Sequence, residues 1–152
     1  MLLKKSTIVL VLLVLLVGVV AVSASAVNVD NMKKSDTMGY VFKPVKSSDG
    51  GIQPMTVSAT ITQGQTNWHT KTITGYCGGF LVDLNWGNPS NSLRLRIYTP
   101  DGAVLGPYYD NLDGRIDGRI LGWLSRNGGV AQGTYYYEVY GDRVSGVQSY
   151  TI

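Results

Sequence analysis

Histidine, cysteine and glutamate each occur once in this chain, as His69, Cys77 and Glu138, and phenylalanine occurs only twice. Those scarcities exclude whole classes of chemistry. A Ser-His-Asp or Cys-His arrangement would have to use His69, which lies in the alternating stretch WHTKT. A zinc hydrolase wants three or four His, Cys or carboxylate ligands, and the chain holds one histidine and one cysteine. Glycosidase chemistry needs two opposed carboxylates; with a single glutamate, aspartates would have to complete the pair. No glycine-rich phosphate loop closing on Lys-Ser or Lys-Thr is present. The sequence therefore reads as non-catalytic, with no cofactor required. A lone cysteine cannot form an intrachain disulfide, so Cys77 is expected to be a small buried hydrophobe rather than a reactive thiol. Pairing between chains stays open.

Long apolar runs are confined to the start. Residues 1–26, MLLKKSTIVLVLLVLLVGVVAVSASA, carry Lys4 and Lys5, then an apolar run from Ile8 to Val22, then Ala24-Ser25-Ala26. That order matches the charged, apolar and small-residue regions of a secretory signal peptide, with cleavage expected after Ala26. The alternative is an uncleaved membrane anchor, because the run approaches the roughly 17–25 apolar residues that span a bilayer. The expected location is secreted, or the cell envelope or surface. Removing Lys4 and Lys5 leaves eleven basic against ten acidic side chains. The sequence pI near 9.0 thus belongs to the precursor and gives no reason to expect nucleic acid.

Residues 27–53 mix Lys, Asp, Ser and Gly without a sustained period, which predicts a flexible lead-in. From Pro54 to Ile152 the texture changes to short β-branched and aromatic runs separated by Gly, Asn, Pro and Asp. About seven or eight strands are expected in this domain. GFLVDLNW (79–86) sets Phe80, Val82, Leu84 and Trp86 on one face, and SLRLRIY (92–98) sets Leu93, Leu95 and Ile97 inward with Arg94, Arg96 and Tyr98 outward. Such one-sided alternation marks antiparallel sheets with one wet face. TPDG (99–102) is a turn, and TYYYEVY (134–140) and GVQSYTI (146–152) close the series. ILGWLSR (120–126) is too short for a helix and holds Gly122. The fold class is all-β: an antiparallel β-sandwich.

The run VDLNW, then NSLRLRIYTPDG, then GTYYYEVYG and finally SYTI resembles the bacterial and archaeal pre-peptidase C-terminal (PPC) domain over roughly residues 56–152. The shared pattern is a strand ending in Trp, a leucine-alternating strand closing on Pro-Asp-Gly, a late Gly-x-Tyr strand and a terminal Tyr-Thr strand. The resemblance implies a jelly-roll-like sandwich in an exported, non-catalytic accessory module, such as one that assists a secreted hydrolase. No catalytic domain precedes the module in this sequence, a departure from the usual arrangement.

Charge is densest in YDNLDGRIDGRI (109–120). An EF-hand register that puts Asp113-Gly114 at its fifth and sixth positions gives Tyr109 at the first and Ile120 at the twelfth, so both defining carboxylates are missing. Two readings remain. Asp110, Asp113 and Asp117 converge on one calcium ion, or each Asp-Gly is a turn with Gly at positive φ and Ile at the core edge.

Ten tyrosines and three tryptophans are rings with polar handles. Alternation along 134–140 puts Tyr135, Tyr137 and Val139 inward and Tyr136, Glu138 and Tyr140 outward. Tyr98, Tyr136 and Tyr140 are then the candidate ligand-binding residues, forming an exposed strip that could stack on sugars or grip an extended polypeptide. Two function classes follow: an exported module that binds extracellular polysaccharide or protein, or a structural or interaction protein of the cell envelope with no small ligand. Membrane contact is expected only through the N-terminal segment, if it is uncleaved.

Overall fold

The computed structural model describes residues 37–46 and 56–152. The expected signal segment 1–26 lies outside these residues, as does the expected lead-in apart from 37–46. Among the described residues nine strands run in order: β1 (Tyr40–Pro44), β2 (Ser58–Thr62), β3 (Thr66–Ile73), β4 (Gly79–Asn85), β5 (Ser92–Tyr98), β6 (Val104–Tyr108), β7 (Arg119–Arg126), β8 (Gly133–Arg143) and β9 (Val147–Thr151). A 3-10 turn, Asp110–Asp113, precedes β7. The strands form two antiparallel sheets, ordered β1-β7-β4-β9-β2 and β3-β8-β5-β6.

The pairing is nested: β2 with β9, β3 with β8, β4 with β7, and β5 with β6. This is one long antiparallel ribbon rolled up so that its successive strand pairs alternate between the two sheets, the jelly-roll form of an all-β sandwich. The expected alternation produces the core. Phe80, Val82 and Leu84 of β4 are buried with Leu93, Leu95 and Ile97 of β5 and Tyr135, Tyr137 and Val139 of β8. Each such side chain contributes about 1.5–3 kcal/mol by leaving water. Trp86 closes one end, its indole Nε1 donating to the carbonyls of Asn88 at 3.0 Å and Asn91 at 3.1 Å.

Three strands depart from expectation. Residues 40–44, placed in the lead-in, form β1 against β7, with Tyr40 opposite Arg126. Tertiary contacts override the weak local pattern here. Tyr40 is 3% exposed; its hydroxyl donates to Asp101 at 3.1 Å, accepts from Ala131 N–H at 3.1 Å and lies 3.2 Å from the Tyr135 hydroxyl. The β6 segment VLGPY carries Gly and Pro inside its run, and it sits at a sheet edge, where proline is tolerated. Gly122 lies mid-strand in β7 because the Phe42 ring occupies its side-chain space: a Cβ there would stand 2.3 Å from Phe42 Cζ. Cys77, expected to be buried, is half-buried, and its thiol donates to the Gly79 carbonyl at 3.1 Å.

Candidate functional site

Among the described residues, the outer face of the four-stranded sheet carries a connected set of charged and aromatic side chains. Antiparallel register fixes them. In β5 and β8, Arg94 pairs with Tyr140, Arg96 with Glu138 and Tyr98 with Tyr136; in β3 and β8, Trp68 pairs with Glu138 and Thr70 with Tyr136. The predicted residues Tyr98, Tyr136 and Tyr140 therefore share one face, with Tyr98 and Tyr136 directly opposed.

Glu138 is the centre of this face. Although it points away from the core, it is only 7% exposed. Its Oε1 accepts from Arg94 Nη2 at 3.1 Å and lies 3.5 Å from Arg96 Nη1, while its Oε2 accepts from the Tyr98 hydroxyl at 2.6 Å. Burial first, then the hydrogen bond to Glu138 and its negative charge, push the Tyr98 phenol up to about 12, so Tyr98 stays a donor at neutral pH. The Trp68 ring packs against the Tyr98 ring, with 5.4 Å between their centres and a tilt of 48°. Arg94 in turn stacks on Tyr140 with 4.3 Å between its guanidinium carbon and the ring centre, a cation–π contact.

Two expected exposures are corrected by this geometry. Tyr98 is buried rather than open, because Trp68 reaches over from β3. Tyr140 is half-buried with Arg94 stacked on its ring. Tyr136 is half-buried and Trp68 is exposed. Sequence reasoning did not single out Trp68, Arg94, Arg96 or Glu138, although the sole glutamate on the outward phase of β8 was a usable signal.

The aspartates of 109–120 take separate paths. Asp110 is buried, and its carboxylate accepts from the backbone N–H groups of Asp117 at 3.2 Å, Gly118 at 3.0 Å and Arg119 at 3.2 Å. Asp113 is exposed and accepts from Arg115 N–H at 3.0 Å, and Asp117 is exposed. Among the described residues no group of three or more His, Cys, Asp or Glu is placed to hold a metal ion. The backbone N–H groups that converge on the Asp110 carboxylate form an anion nest filled by that side chain. The two Asp-Gly steps do put glycine at positive φ, +85° at Gly114 and +80° at Gly118. Only the second is enclosed, since a Cβ on Gly118 would meet Asn88 N at 2.4 Å. Millimolar calcium is expected to leave the melting temperature unchanged, because an ion that bound the folded state alone would have to raise it. A calcium-dependent rise abolished by chelator would restore the metal reading.

His69 faces inward on β3, opposite Tyr137, and its Nε2 lies 2.7 Å from the Tyr150 hydroxyl. Burial lowers its pKa from 6.5. The unfolded chain therefore binds a proton more readily than the folded one as pH falls below 6.5, so stability drops with acid over that window. His69→Gln should remove this part of the acid sensitivity in melts compared at pH 7 and pH 5; an unchanged slope would contradict it.

No protein-family model matches the chain. A protein of Archaeoglobus fulgidus named "Uncharacterized protein" is 48% identical over 48 residues, which is 32% of this chain and 67% of that protein. The two chains belong to one family. That relative's name carries no activity.

Proposed function

We propose that the chain is an exported, non-catalytic binding module that holds an extracellular polysaccharide on the outer face of β3, β8 and β5, in keeping with its resemblance to the PPC domain. The observation that supports this reading is the Glu138 clamp. Solvent-facing sheet surfaces need no buried carboxylate, yet here one fixes two guanidinium groups and a phenol beside an exposed indole. Fixed rings cost little entropy on binding. Trp68 and Tyr136 supply ring faces for sugars, and Arg96, whose side chain is 36% exposed, supplies outward donors for hydroxyl or carboxylate groups.

Affinity electrophoresis of residues 27–152 through gels containing xylan, mannan or polygalacturonate tests the reading. Retardation by at least one polymer is expected, together with its loss in Trp68→Ala and Tyr136→Ala. Mobility unaffected by every polymer would contradict it. A second reading, an envelope interaction protein, draws on the opposite sheet, where Val41 and Trp123 are 46% and 38% exposed. Co-purification with an envelope protein that Trp123→Ala abolishes would favour that alternative.

A further inference from the structure

The five-stranded sheet is split. β4 pairs with β7 along its whole length, from Gly79 to Asn85, but with β9 only at Asn85, opposite Thr151. Beyond that single pair, β9 and β2 diverge from β4 and leave a slot through the sheet. Its volume is about 520 Å³, within the range of small-molecule sites. Val57, Leu81 and Ile152 supply apolar walls, and the inward faces of β3 and β8 form the floor with His69, Lys71 and Tyr137.

The polar groups in this slot are unbalanced. Tyr137 is 6% exposed, and its hydroxyl forms no hydrogen bond among the described residues. That oxygen is not among the buried polar atoms left without a partner; Tyr137 lines the slot, so its hydroxyl is reached by solvent there and can donate to a ligand. Burial raises the Tyr137 pKa, which keeps the group a donor. Lys71 forms no ion pair among the described residues; its ammonium stands 5.5 Å from the centre of the Phe80 ring. Acceptors nearby are already engaged. Both Asp83 oxygens take hydrogen bonds from Arg119 at 2.7 Å, and His69 Nε2 is tied to Tyr150. Two uncommitted donors, one of them cationic, thus share apolar walls with no free carboxylate.

We propose that this slot is a binding site for a small carboxylate with an apolar body. The carboxylate accepts from the Tyr137 hydroxyl and the Lys71 ammonium, and the apolar body lies against Val57, Leu81 and Ile152. This site is separate from the Glu138 face and stands or falls independently of the polysaccharide reading.

The probes are 3-phenylpropionate and its uncharged counterpart 3-phenylpropan-1-ol, titrated into residues 27–152 and followed by methyl and amide NMR shifts. Saturable shifts at Val57, Leu81 and Ile152 are expected with the acid, and binding of the alcohol should be at least about tenfold weaker, or 1.4 kcal/mol. Lys71→Gln should bring the acid down to the level of the alcohol. Tyr137→Phe, which keeps the ring and so the packing, should weaken the acid further. The proposal is overturned if the folded chain shows no saturable shifts with the acid, if acid and alcohol bind equally, or if Lys71→Gln and Tyr137→Phe both leave acid binding unchanged.

Discussion

Asp110→Ala is expected to lower stability by about 3 kcal/mol, because three backbone N–H groups lose a charged acceptor inside the protein. Asp110 is 6% exposed, and the N–H of Gly118 it binds is buried. Gly118 cannot move to find water, since its backbone is packed against Asn88 and its carbonyl accepts from Trp86 N–H at 2.8 Å and Gly87 N–H at 2.9 Å. Loss of the carboxylate therefore disturbs the end of the core at Trp86 as well as the loop. In a domain of this size the melting temperature should fall by roughly 10–20 °C. Asp110→Asn keeps one acceptor oxygen and should cost about half as much. Asp113→Ala, which removes one exposed turn contact, should cost under about 1 kcal/mol. Equal losses at Asp110 and Asp113 would refute the anion-nest account of this loop.

Glu138→Ala is expected to cost about 2–3 kcal/mol. Breaking a buried ion pair by removing one partner typically costs 3–5 kcal/mol, and partial hydration of the arginines reduces this, since the side chains of Arg94 and Arg96 are 20% and 36% exposed. The variant should also lower the Tyr98 pKa from about 12, because the Glu138 carboxylate is among the groups holding it up. Titration of tyrosinate absorbance, compared with Tyr98→Phe, reads this directly. Glu138→Gln keeps an acceptor for the Tyr98 hydroxyl but loses the charge, so it should fall between the two. Polysaccharide binding should weaken in Glu138→Ala even though Trp68 and Tyr136 remain. Unaltered stability together with an unaltered tyrosine titration would show that the clamp does not organise this face.

The strands that alternate strictly were legible in the sequence, because period two and burial on one side are local properties. β4, β5 and β8 lie where GFLVDLNW, SLRLRIY and TYYYEVY predict. β1 was not legible, since YVFKP sits in a lysine- and serine-rich stretch and becomes a strand only through the seat of Tyr40 and the packing of Phe42 on Gly122. The same limit applies to the candidate face. Alternation placed Tyr136 and Tyr140 outward, but nothing local states that Trp68 of β3 crosses β8 to cover Tyr98. The aspartates left two readings open for a related reason: their spacing suits a shared ligand or paired turns, and nothing local states that the carboxylate of Asp110 bonds backbone N–H groups seven to nine residues along the chain.

The chain's three tryptophans make one spectrum decisive for the proposed binding face. Trp68 reports on the outer face of the four-stranded sheet, Trp123 on the outer face of the five-stranded sheet, and Trp86, 6% exposed, on the core. Indole N–H signals should be followed by NMR while oligosaccharides of xylan, mannan and polygalacturonate are titrated in turn. The Trp68 signal is expected to move saturably with at least one of them while Trp123 and Trp86 stay fixed. A shift at Trp123 with Trp68 unmoved, or no shift with any of the three, would contradict a polysaccharide site built around Glu138.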